Sequence, residues 1–326
     1  MDRPTIEDVA RIAGVSIATV SRGLHKPHLV AEPTRERILA AVRDTGYALN
    51  TAAQSLRVRR ANAVLVLVPD VGNTFFSEIL GGIQDVASEA GITMLIGDTG
   101  RRRGREAAYA RYLLNGRADG ALLLAEPLAD WSGAAPVVVV SETLPGAPGL
   151  TVCIDNAAAS ETAVAHLLAL GHRRVAYLSG PEDNLLTEAR REGWRRAHRA
   201  AGLPPDPALE LRGGFDLASG RRGFAALMAL SPRPTAVACA NDESAMGLIA
   251  AAHEAGLRVP RDLSVAGFDD IHFAQAFIPA LTTVCQPRAA MGAEAMRLLL
   301  AHWAGESPEP VVLPSRLVPR ASTAPP

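Results

Sequence analysis

Hydrophobic residues near the start of the chain recur with the spacing of short amphipathic helices. In the stretch TIEDVARIAGVSIATVSRGL, residues 5–24, four of them fall at i, i+3, i+4 and i+7 and predict the inner face of a first helix: Ile6, Val9, Ala10 and Ala13. Gly14 predicts the end of that helix, and Val20 and Leu24 predict the face of a second helix packed against it. The pattern therefore predicts two short helices joined by a tight turn.

Polar residues at the two predicted helix starts support this assignment. Thr5 precedes Asp8 by three residues, a capping-box variant in which the hydroxyl accepts from a first-turn N–H and the carboxylate lies at the positive helix end. Ser16 is placed to cap the second helix in the same way. Two short helices around a glycine-containing turn form either a DNA-binding helix-turn-helix or an ordinary helical hairpin.

A third helix is predicted from Glu32 to Asp44, with Pro33 in its first turn and Gly46 at its end. Gly23, inside the second helix, is expected to weaken that helix by about 1 kcal/mol. The three helices are expected to enclose a small core of seven residues: Ile6, Val9, Val20, Leu24, Ile38, Leu39 and Val42.

From residue 64 onward, short apolar strands alternate with amphipathic helices. The predicted strands are residues 64–68, 92–97, 120–124, 137–140, 152–154, 175–179, 209–212, 236–239 and 263–266. The predicted helices are residues 76–90, 102–114, 157–170, 188–201, 217–230, 242–255 and 288–303. This order is typical of parallel doubly wound sheets, and its restart at residue 157 predicts two α/β lobes.

Length and composition fit a globular protein with two domains and a small extra module, since the chain has 326 residues, 48% hydrophobic and 21% charged. No apolar run approaches the length of about 18 residues that a membrane span needs. The start, MDRPTIEDVA, lacks the apolar segment of a secretory signal, so we expect a cytoplasmic protein.

The three cysteines, Cys153, Cys239 and Cys285, are widely spaced and lie in apolar stretches that look like strands. Neither a C-x-x-C pair nor a Cys/His cluster is present, so we expect buried thiols, no metal site and no cofactor.

Charge is distributed unevenly along the chain. Residues 1–60 contain ten Lys or Arg and six Asp or Glu, a balance of +4, whereas residues 61–326 contain 23 and 28, a balance of −5. A basic module on an acidic body suits a protein that contacts phosphate at one end, and solvated surface charge is the alternative.

The exposed side of the second helix carries side chains that fit DNA, because Arg and Ser reach base edges or phosphates and small apolar groups meet a thymine methyl. Here the sequence GVSIATVSR resembles the LacI/GalR family of bacterial transcription regulators, and the resemblance continues nearly to the C-terminus. We therefore predict DNA contacts from seven headpiece residues: Thr5, Ser16, Ile17, Ala18, Thr19, Ser21 and Arg22.

The resemblance implies an N-terminal all-α helix-turn-helix headpiece and an α/β two-lobed, periplasmic-binding-protein-like domain. The headpiece, with a hinge helix near residues 50–57, would occupy residues 1–60. Residues 61–326 would form the effector-binding and dimerisation domain, whose chain crosses between lobes near residues 157, 287 and 316.

The hinge segment is implied to add three further DNA contacts: Asn50, Leu56 and Arg57. Leu56 matches the leucine that the family inserts into the minor groove, where an apolar wedge kinks the duplex. Eight residues are too few to be helical alone in water, so DNA binding would have to supply the ordering. A plain interdomain linker is the alternative.

Ligands of parallel sheets bind at the carboxyl ends of strands, where this chain has several polar and aromatic residues. The predicted effector-binding residues are Asn73, Phe75, Phe76, Glu142, Asp155, Arg190, Phe215, Asn241 and Asp269. Arg190 in TEARREGW and Asp269 in GFDD match residues with which the family grips its effector. An arginine, carboxylates and aromatic faces suit a sugar or polyol.

Each of these assignments has a structural alternative. Arg190 belongs to an arginine-rich helix and could be exposed to solvent, Asn241 could cap the next helix, and Phe75 or Phe76 could belong to the core. Ser141 and Asp242 stand beside Glu142 and Asn241 in the same predicted loops.

The candidate functions are an enzyme, a transport receptor and a transcriptional regulator. The chain lacks the G-x-S-x-G, G-x-x-x-x-G-K, G-x-G-x-x-G and H-E-x-x-H motifs of common enzymes. A sugar-binding transport receptor would explain two lobes but not residues 1–60. We therefore predict a sequence-specific transcriptional regulator, a homodimeric repressor of a palindromic operator controlled by a small carbohydrate. An activator or dual regulator of the same family is the alternative.

Overall fold

The structure is a computed structural model that describes residues 4–47, 60–100, 102, 104–124, 135–141, 150–182 and 184–326. Internal contacts divide the chain into two units, residues 1–60 and residues 61–326.

The described residues of the first unit form three α-helices, α1 (Ile6–Ala13), α2 (Ile17–His25) and α3 (Glu32–Thr45). The predicted capping box is confirmed: the Asp8 N–H donates to Thr5 Oγ1 (3.4 Å) and the Thr5 N–H donates to Asp8 Oδ2 (3.0 Å). Ser16 caps α2 by accepting from the Thr19 N–H (3.2 Å). Gly14 ends α1 in the left-handed conformation, with φ 64°. These local signals fix the ends of the first two helices.

The core of this unit contains six buried residues: Val9, Ala10, Ala13, Val20, Ile38 and Ala41. The prediction that Leu39 belongs to it is wrong, since its side chain is 39% exposed. Ile38 and Ala41 lie three residues apart on the inner face of α3, and Leu39 is rotated about 100° away from Ile38. Gly23 is buried against α3, where a Cβ would lie 2.7 Å from Ile38 Cδ1. Its missing side chain makes room for Ile38.

The second unit contains two six-stranded sheets, each with helices packed on it. Lobe 1 has the strand order β11-β5-β4-β3-β1-β2 and is built from β1 (Ala63–Val68), α4 (Phe75–Glu89), β2 (Thr93–Asp98), α5 (Arg105–Leu114), β3 (Gly120–Leu123), β4 (Val137–Val140), β5 (Leu150–Cys153), α10 (Arg288–Trp303) and β11 (Val311–Val312). All of its strand pairs are parallel.

Lobe 2 has the strand order β12-β10-β9-β8-β6-β7. It is built from α6 (Asn156–Ala169), β6 (Val175–Leu178), α7 (Leu185–Ala200), β7 (Glu210–Leu211), α8 (Leu217–Met228), β8 (Ala236–Cys239), α9 (Asp242–Glu254), β9 (Ser264–Asp269), β10 (Thr282–Cys285) and β12 (Arg316–Val318). The predicted fold class, a helical headpiece followed by two parallel-rich α/β lobes, is confirmed.

Two strands of lobe 2 were not predicted. β10 is a four-residue strand, TTVC, that pairs in parallel with β9, and β12 is an edge strand that pairs with β10 in antiparallel register. Neither follows a helix of its own, so the alternating pattern that identified the other strands does not reveal them. Among the described helices, none is long and apolar enough to cross a membrane.

The chain passes between the two lobes three times. It leaves β5 of lobe 1 for α6 of lobe 2, returns from β10 to α10, and passes from β11 to β12 near the C-terminus. The cysteines lie in β5, β8 and β10, with Cys153 and Cys239 buried and Cys285 half-buried.

Candidate DNA interface and effector site

The outer face of α2 presents the predicted DNA-contacting side chains to solvent. Ser16, Ala18 and Arg22 are exposed, and Ile17 is 46% exposed although it is a large apolar residue. Thr19 and Ser21 are half-buried, and the Thr19 hydroxyl is hydrogen-bonded to Ser16 Oγ (2.8 Å). This face offers a cation, hydroxyls and small apolar groups to a major groove.

Thr5 forms hydrogen bonds at the start of α1. Its hydroxyl donates to Asp8 Oδ2 (2.9 Å), and Arg11 Nη2 donates to Asp8 Oδ1 (2.8 Å). These bonds lower the pKa of Asp8 to about 2, and the bond from Arg11 has the largest effect. Thr5 therefore has a structural role in the cap, and its exposed position leaves it accessible to a phosphate as well. The other predicted contacts, Asn50, Leu56 and Arg57, lie outside the described residues.

Arg190 is the centre of a buried polar group at the carboxyl ends of the lobe 2 strands. Only 3% of the residue is exposed, so the alternative of a solvent-exposed arginine is wrong. Its Nε donates to Asn156 Oδ1 (2.9 Å) and its Nη1 donates to the Ala240 carbonyl (2.5 Å). The guanidinium lies 3.8 Å from the centre of the Phe268 ring. Several elements therefore fix the orientation of one cation.

Asp269 faces this guanidinium across a short gap. Its Oδ1 accepts from Gln286 Nε2 (2.7 Å) and lies 3.7 Å from Arg190 Nη2, too far for a direct hydrogen bond. Burial raises the pKa of Asp269 to about 6, although the Arg190 charge and the Gln286 hydrogen bond oppose the shift. A hydroxyl oxygen between Nη2 and Oδ1 could accept from the cation and donate to the carboxylate.

Phe215 and Asn241 belong to the same group. The Phe215 ring centre lies 5.9 Å from the Arg190 guanidinium carbon, and Asn241 Nδ2 donates to the Phe215 carbonyl (3.2 Å). Asn241 Oδ1 also accepts from the Ser244 N–H (3.0 Å), so this residue caps α9 as well. The Phe215 ring leans over Gly180, where a Cβ would lie 2.4 Å from it. Lobe 2 therefore brings together four of the predicted residues.

The predicted residues of lobe 1 have local structural roles. Asn73 Oδ1 accepts from the Phe75 N–H (2.8 Å) at the start of α4. Phe75 and Phe76 are each 8% exposed, pack edge to face with ring centres 5.1 Å apart and belong to the hydrophobic core. Asp155 is exposed and caps α6 through the Ala158 N–H (2.9 Å). Their contacts to an effector stay predictions.

The carboxyl end of β4 carries a second unusual polar residue. Ser141 is buried and adopts a positive φ of 76°, and its Oγ has no hydrogen-bond partner among the described residues. A buried hydroxyl without a partner is rare in folded proteins and leaves a hydrogen bond open to a ligand or a water molecule. Glu142, the predicted residue beside it, lies outside the described residues.

Three contributors to the lobe 2 group were not predicted: Asn156, Phe268 and Gln286. Asn156 is separated from Arg190 by 34 positions, and Gln286 from Asp269 by 17. Gln286 follows the unpredicted strand β10, so no strand end marked it. Asn156 directly follows the predicted Asp155, which was the one sequence signal available.

Two family profiles match the chain. The profile described as bacterial regulatory proteins, lacI family, matches residues 5–50, which contain α1, α2 and α3. The profile of a periplasmic binding protein-like domain matches residues 164–323.

Similar proteins and structures cover nearly the whole chain. The HTH-type transcriptional repressor CytR of Escherichia coli K12 is 38% identical over 308 residues, 93% of this chain and 90% of that protein. The crystal structure of the lac repressor dimer bound to operator and the anti-inducer ONPF has a TM-score of 0.88 at 29% identity and covers 99% of this chain and 100% of its own. The CelR–cellobiose complex has a TM-score of 0.75 at 32% identity and covers 98% of this chain and 100% of its own. The chain therefore belongs to the lacI family of bacterial regulatory proteins, and it is a DNA-binding transcriptional regulator controlled by a small-molecule ligand.

Proposed function

We propose that this regulator is a repressor whose affinity for its operator is set by a sugar or polyol bound between the two lobes. The observation that carries the proposal is the facing pair of Arg190 and Asp269, held 3.7 Å apart and buried beside an aromatic ring. Two similarities support it: the relative CytR is named a repressor, and the similar structure of CelR is a complex with cellobiose.

The chemistry of the pair suits vicinal hydroxyls. One hydroxyl accepts from Arg190 Nη2 and donates to Asp269 Oδ1, and Asn241 reaches a neighbouring hydroxyl from the start of α9. The half-buried Phe215 ring offers a face to the C–H groups of a sugar ring. Ser141 supplies a hydroxyl from lobe 1. A ligand held from both lobes favours one relative lobe orientation, which is the differential binding that allostery requires.

The regulator is proposed to act as a homodimer on a palindromic operator. A two-fold dimer presents one helix-turn-helix to each half-site. The similar lac repressor structure is a dimer bound to operator. Exposed apolar residues in the second unit supply a candidate contact, since Ile96 on the edge strand β2 is 48% exposed and Ile278 is 90% exposed. Light scattering of the purified protein should give twice the chain mass.

The test combines ligand binding and DNA binding. Purified protein is screened by thermal shift against glucose, galactose, ribose, cellobiose, lactose, glycerol and uridine, which share vicinal hydroxyls. DNA from upstream of its own gene is then titrated with and without the compound that stabilises the protein most. A change in DNA affinity for the parent, and none for the Arg190→Ala variant, supports the proposal. An Arg190→Ala variant that binds the compound as tightly as the parent would refute it.

The direction of regulation is tested separately. Deletion of the gene should raise expression from a reporter that carries the bound upstream fragment, because a repressor is removed. Lower expression after deletion would instead identify an activator.

A further inference from the structure

The turn that carries Asp269 has a strained backbone. Asp269 and the following Asp270 have positive φ values of 115° and 53°, a conformation that residues with side chains rarely adopt. Such strain persists only where the surroundings hold the backbone in place, and it is concentrated at ligand sites. The contacts around this turn are therefore of functional interest.

A buried carboxylate, that of Asp242, holds the turn. Asp242 is completely buried, its Oδ2 accepts from the Ile271 N–H (2.8 Å), and its Oδ1 accepts from the Thr283 hydroxyl (2.5 Å). Thr283 Oγ1 in turn accepts from the Asp270 N–H (3.3 Å). Both N–H groups that follow Asp269 are thus tied, directly or through one hydroxyl, to a single carboxylate. The start of α9 is thereby connected to the end of β9 and to β10.

The Asp242 carboxylate fits only because the neighbouring strand has a glycine, and its burial costs stability. A Cβ on Gly267 would lie 2.2 Å from Asp242 Oδ1, so only glycine fits on the neighbouring strand. Burial raises the pKa of Asp242 well above its usual value, and the nearby Asp269 charge is the second largest cause. Burying two carboxyl groups side by side costs stability, so their presence here points to a purpose other than stability. Here that purpose is found in the turn between them.

We propose that Asp242 and Thr283 are positioning residues that hold the 269–271 turn in its strained conformation and so aim the Asp269 carboxylate at the effector. This inference rests on the proposed effector site. It gives Asp242, which follows the Asn241 cap of α9, a role outside that helix. Neither residue needs to touch the effector, since both act through the backbone of the turn.

The test uses a matched pair of threonines on β10. Thr283→Val removes the hydroxyl and keeps the shape. Thr282→Val is the control, because Thr282 is also completely buried but its hydroxyl contacts Thr323 Oγ1 (3.0 Å) and the Arg320 N–H (2.8 Å) on the other face of the strand. Thr283→Ser restores the hydroxyl. Binding is measured by calorimetry with the compound that most stabilises the parent in the thermal-shift screen.

We expect Thr283→Val to weaken binding about tenfold or more, with Thr282→Val within twofold of the parent and Thr283→Ser within threefold. Comparable falls in melting temperature for the two valine variants would separate positioning from general stability. If Thr283→Val does not fold, Asp242→Asn is measured instead. It keeps an acceptor for the Ile271 N–H but puts an amide nitrogen, which cannot accept from the Thr283 hydroxyl, in place of Oδ1, so it should weaken binding by a similar factor.

Three results overturn the inference in distinguishable ways. Thr283→Val within twofold of the parent, together with lost binding in Arg190→Ala, leaves the effector site in place and removes the positioning role. Unchanged binding in Arg190→Ala overturns the effector site itself, and with it this inference. Equal weakening in Thr282→Val and Thr283→Val also contradicts it, because the loss would then follow from stability alone.

Discussion

Replacing Asp269 by asparagine should increase stability near neutral pH and abolish effector binding. Burial raises the pKa of Asp269 from its usual 3.8 to about 6, so the folded protein binds this proton more tightly than the unfolded chain. The free energy of unfolding therefore falls as the pH rises from about 4 to 6. Two pKa units correspond to about 3 kcal/mol, which the parent loses over this range and the Asp269→Asn variant does not.

Urea unfolding at pH 4.5, 6.0 and 7.5, followed by tryptophan fluorescence, measures this difference. The two proteins should have similar free energies of unfolding at pH 4.5, and the variant should be more stable by up to about 3 kcal/mol at pH 7.5. Asparagine keeps an oxygen for the Gln286 hydrogen bond, so the turn retains this contact. The neighbouring Asp242, whose pKa is raised partly by the Asp269 charge, also becomes easier to ionise in the variant.

The control is Asp155→Asn, which changes an exposed helix-capping aspartate into another good cap. It controls for the loss of one aspartate from the chain while the buried Asp269 is kept. The variant Asp269→Asn should also lose effector binding, because it lacks the charge that accepts from a ligand hydroxyl. Parallel pH profiles for the parent and Asp269→Asn would refute the reasoning, since Asp269 would then have an ordinary pKa and could not be buried as described.

Three further predictions concern the first unit and the hinge. Arg22→Ala should weaken binding to operator much more than to random DNA if Arg22 contacts a base. Equal weakening on both DNAs, with a salt dependence of the affinity that is smaller by about one unit of slope, would identify a phosphate contact. Titrations at two salt concentrations measure the difference. Gly23→Ala should increase stability by less than the roughly 1 kcal/mol expected from helix propensity, because the new Cβ contacts Ile38 Cδ1. Ile38→Val should therefore cost less stability in that variant than in the parent, and thermal unfolding measures both effects. Leu56→Ala should lower operator affinity more than tenfold, and fluorescence anisotropy giving parental affinity would identify the hinge segment as a plain linker.

The secondary structure could be predicted where local signals determine it. The Thr5–Asp8 capping box, the Ser16 cap and the glycine after α1 specify their own helix ends, because the groups that interact are three or four residues apart. The strands that follow the βα alternation were identified because each short apolar run is also a local signal. Leu39 was misplaced because its helix has only 14 residues, too few for a weak apolar pattern to fix the inner face.

The sequence predicted the effector site only as a set of residues that follow strands. Arg190 and Asp269 were selected from the family resemblance, but the contacts that orient them come from Asn156 and Gln286, at the points where the chain changes lobes. Such contacts depend on tertiary geometry and leave no periodic signal. Phe75 and Phe76 were predicted as ligand faces because they follow a strand, and packing of α4 on the sheet buried both rings.

The distribution of tight and polar contacts determines how an effector can act on this fold. Within lobe 1, a Cβ on Gly82 or Gly292 would lie 2.0 Å from a backbone oxygen of the facing helix, so α4 and α10 pack almost backbone to backbone. Helices packed this closely cannot slide past each other without clashes, so we expect α4 and α10 to move together. At the crossing from β10 to α10, by contrast, Arg288 Nη2 reaches the Asp270 carbonyl of lobe 2 (2.7 Å) and Glu78 of lobe 1 (2.8 Å). Because Arg288 is only 4% exposed, these charge-assisted bonds are costly to break, so we expect them to favour one relative orientation of the lobes, which an effector bound between the lobes would have to keep or change.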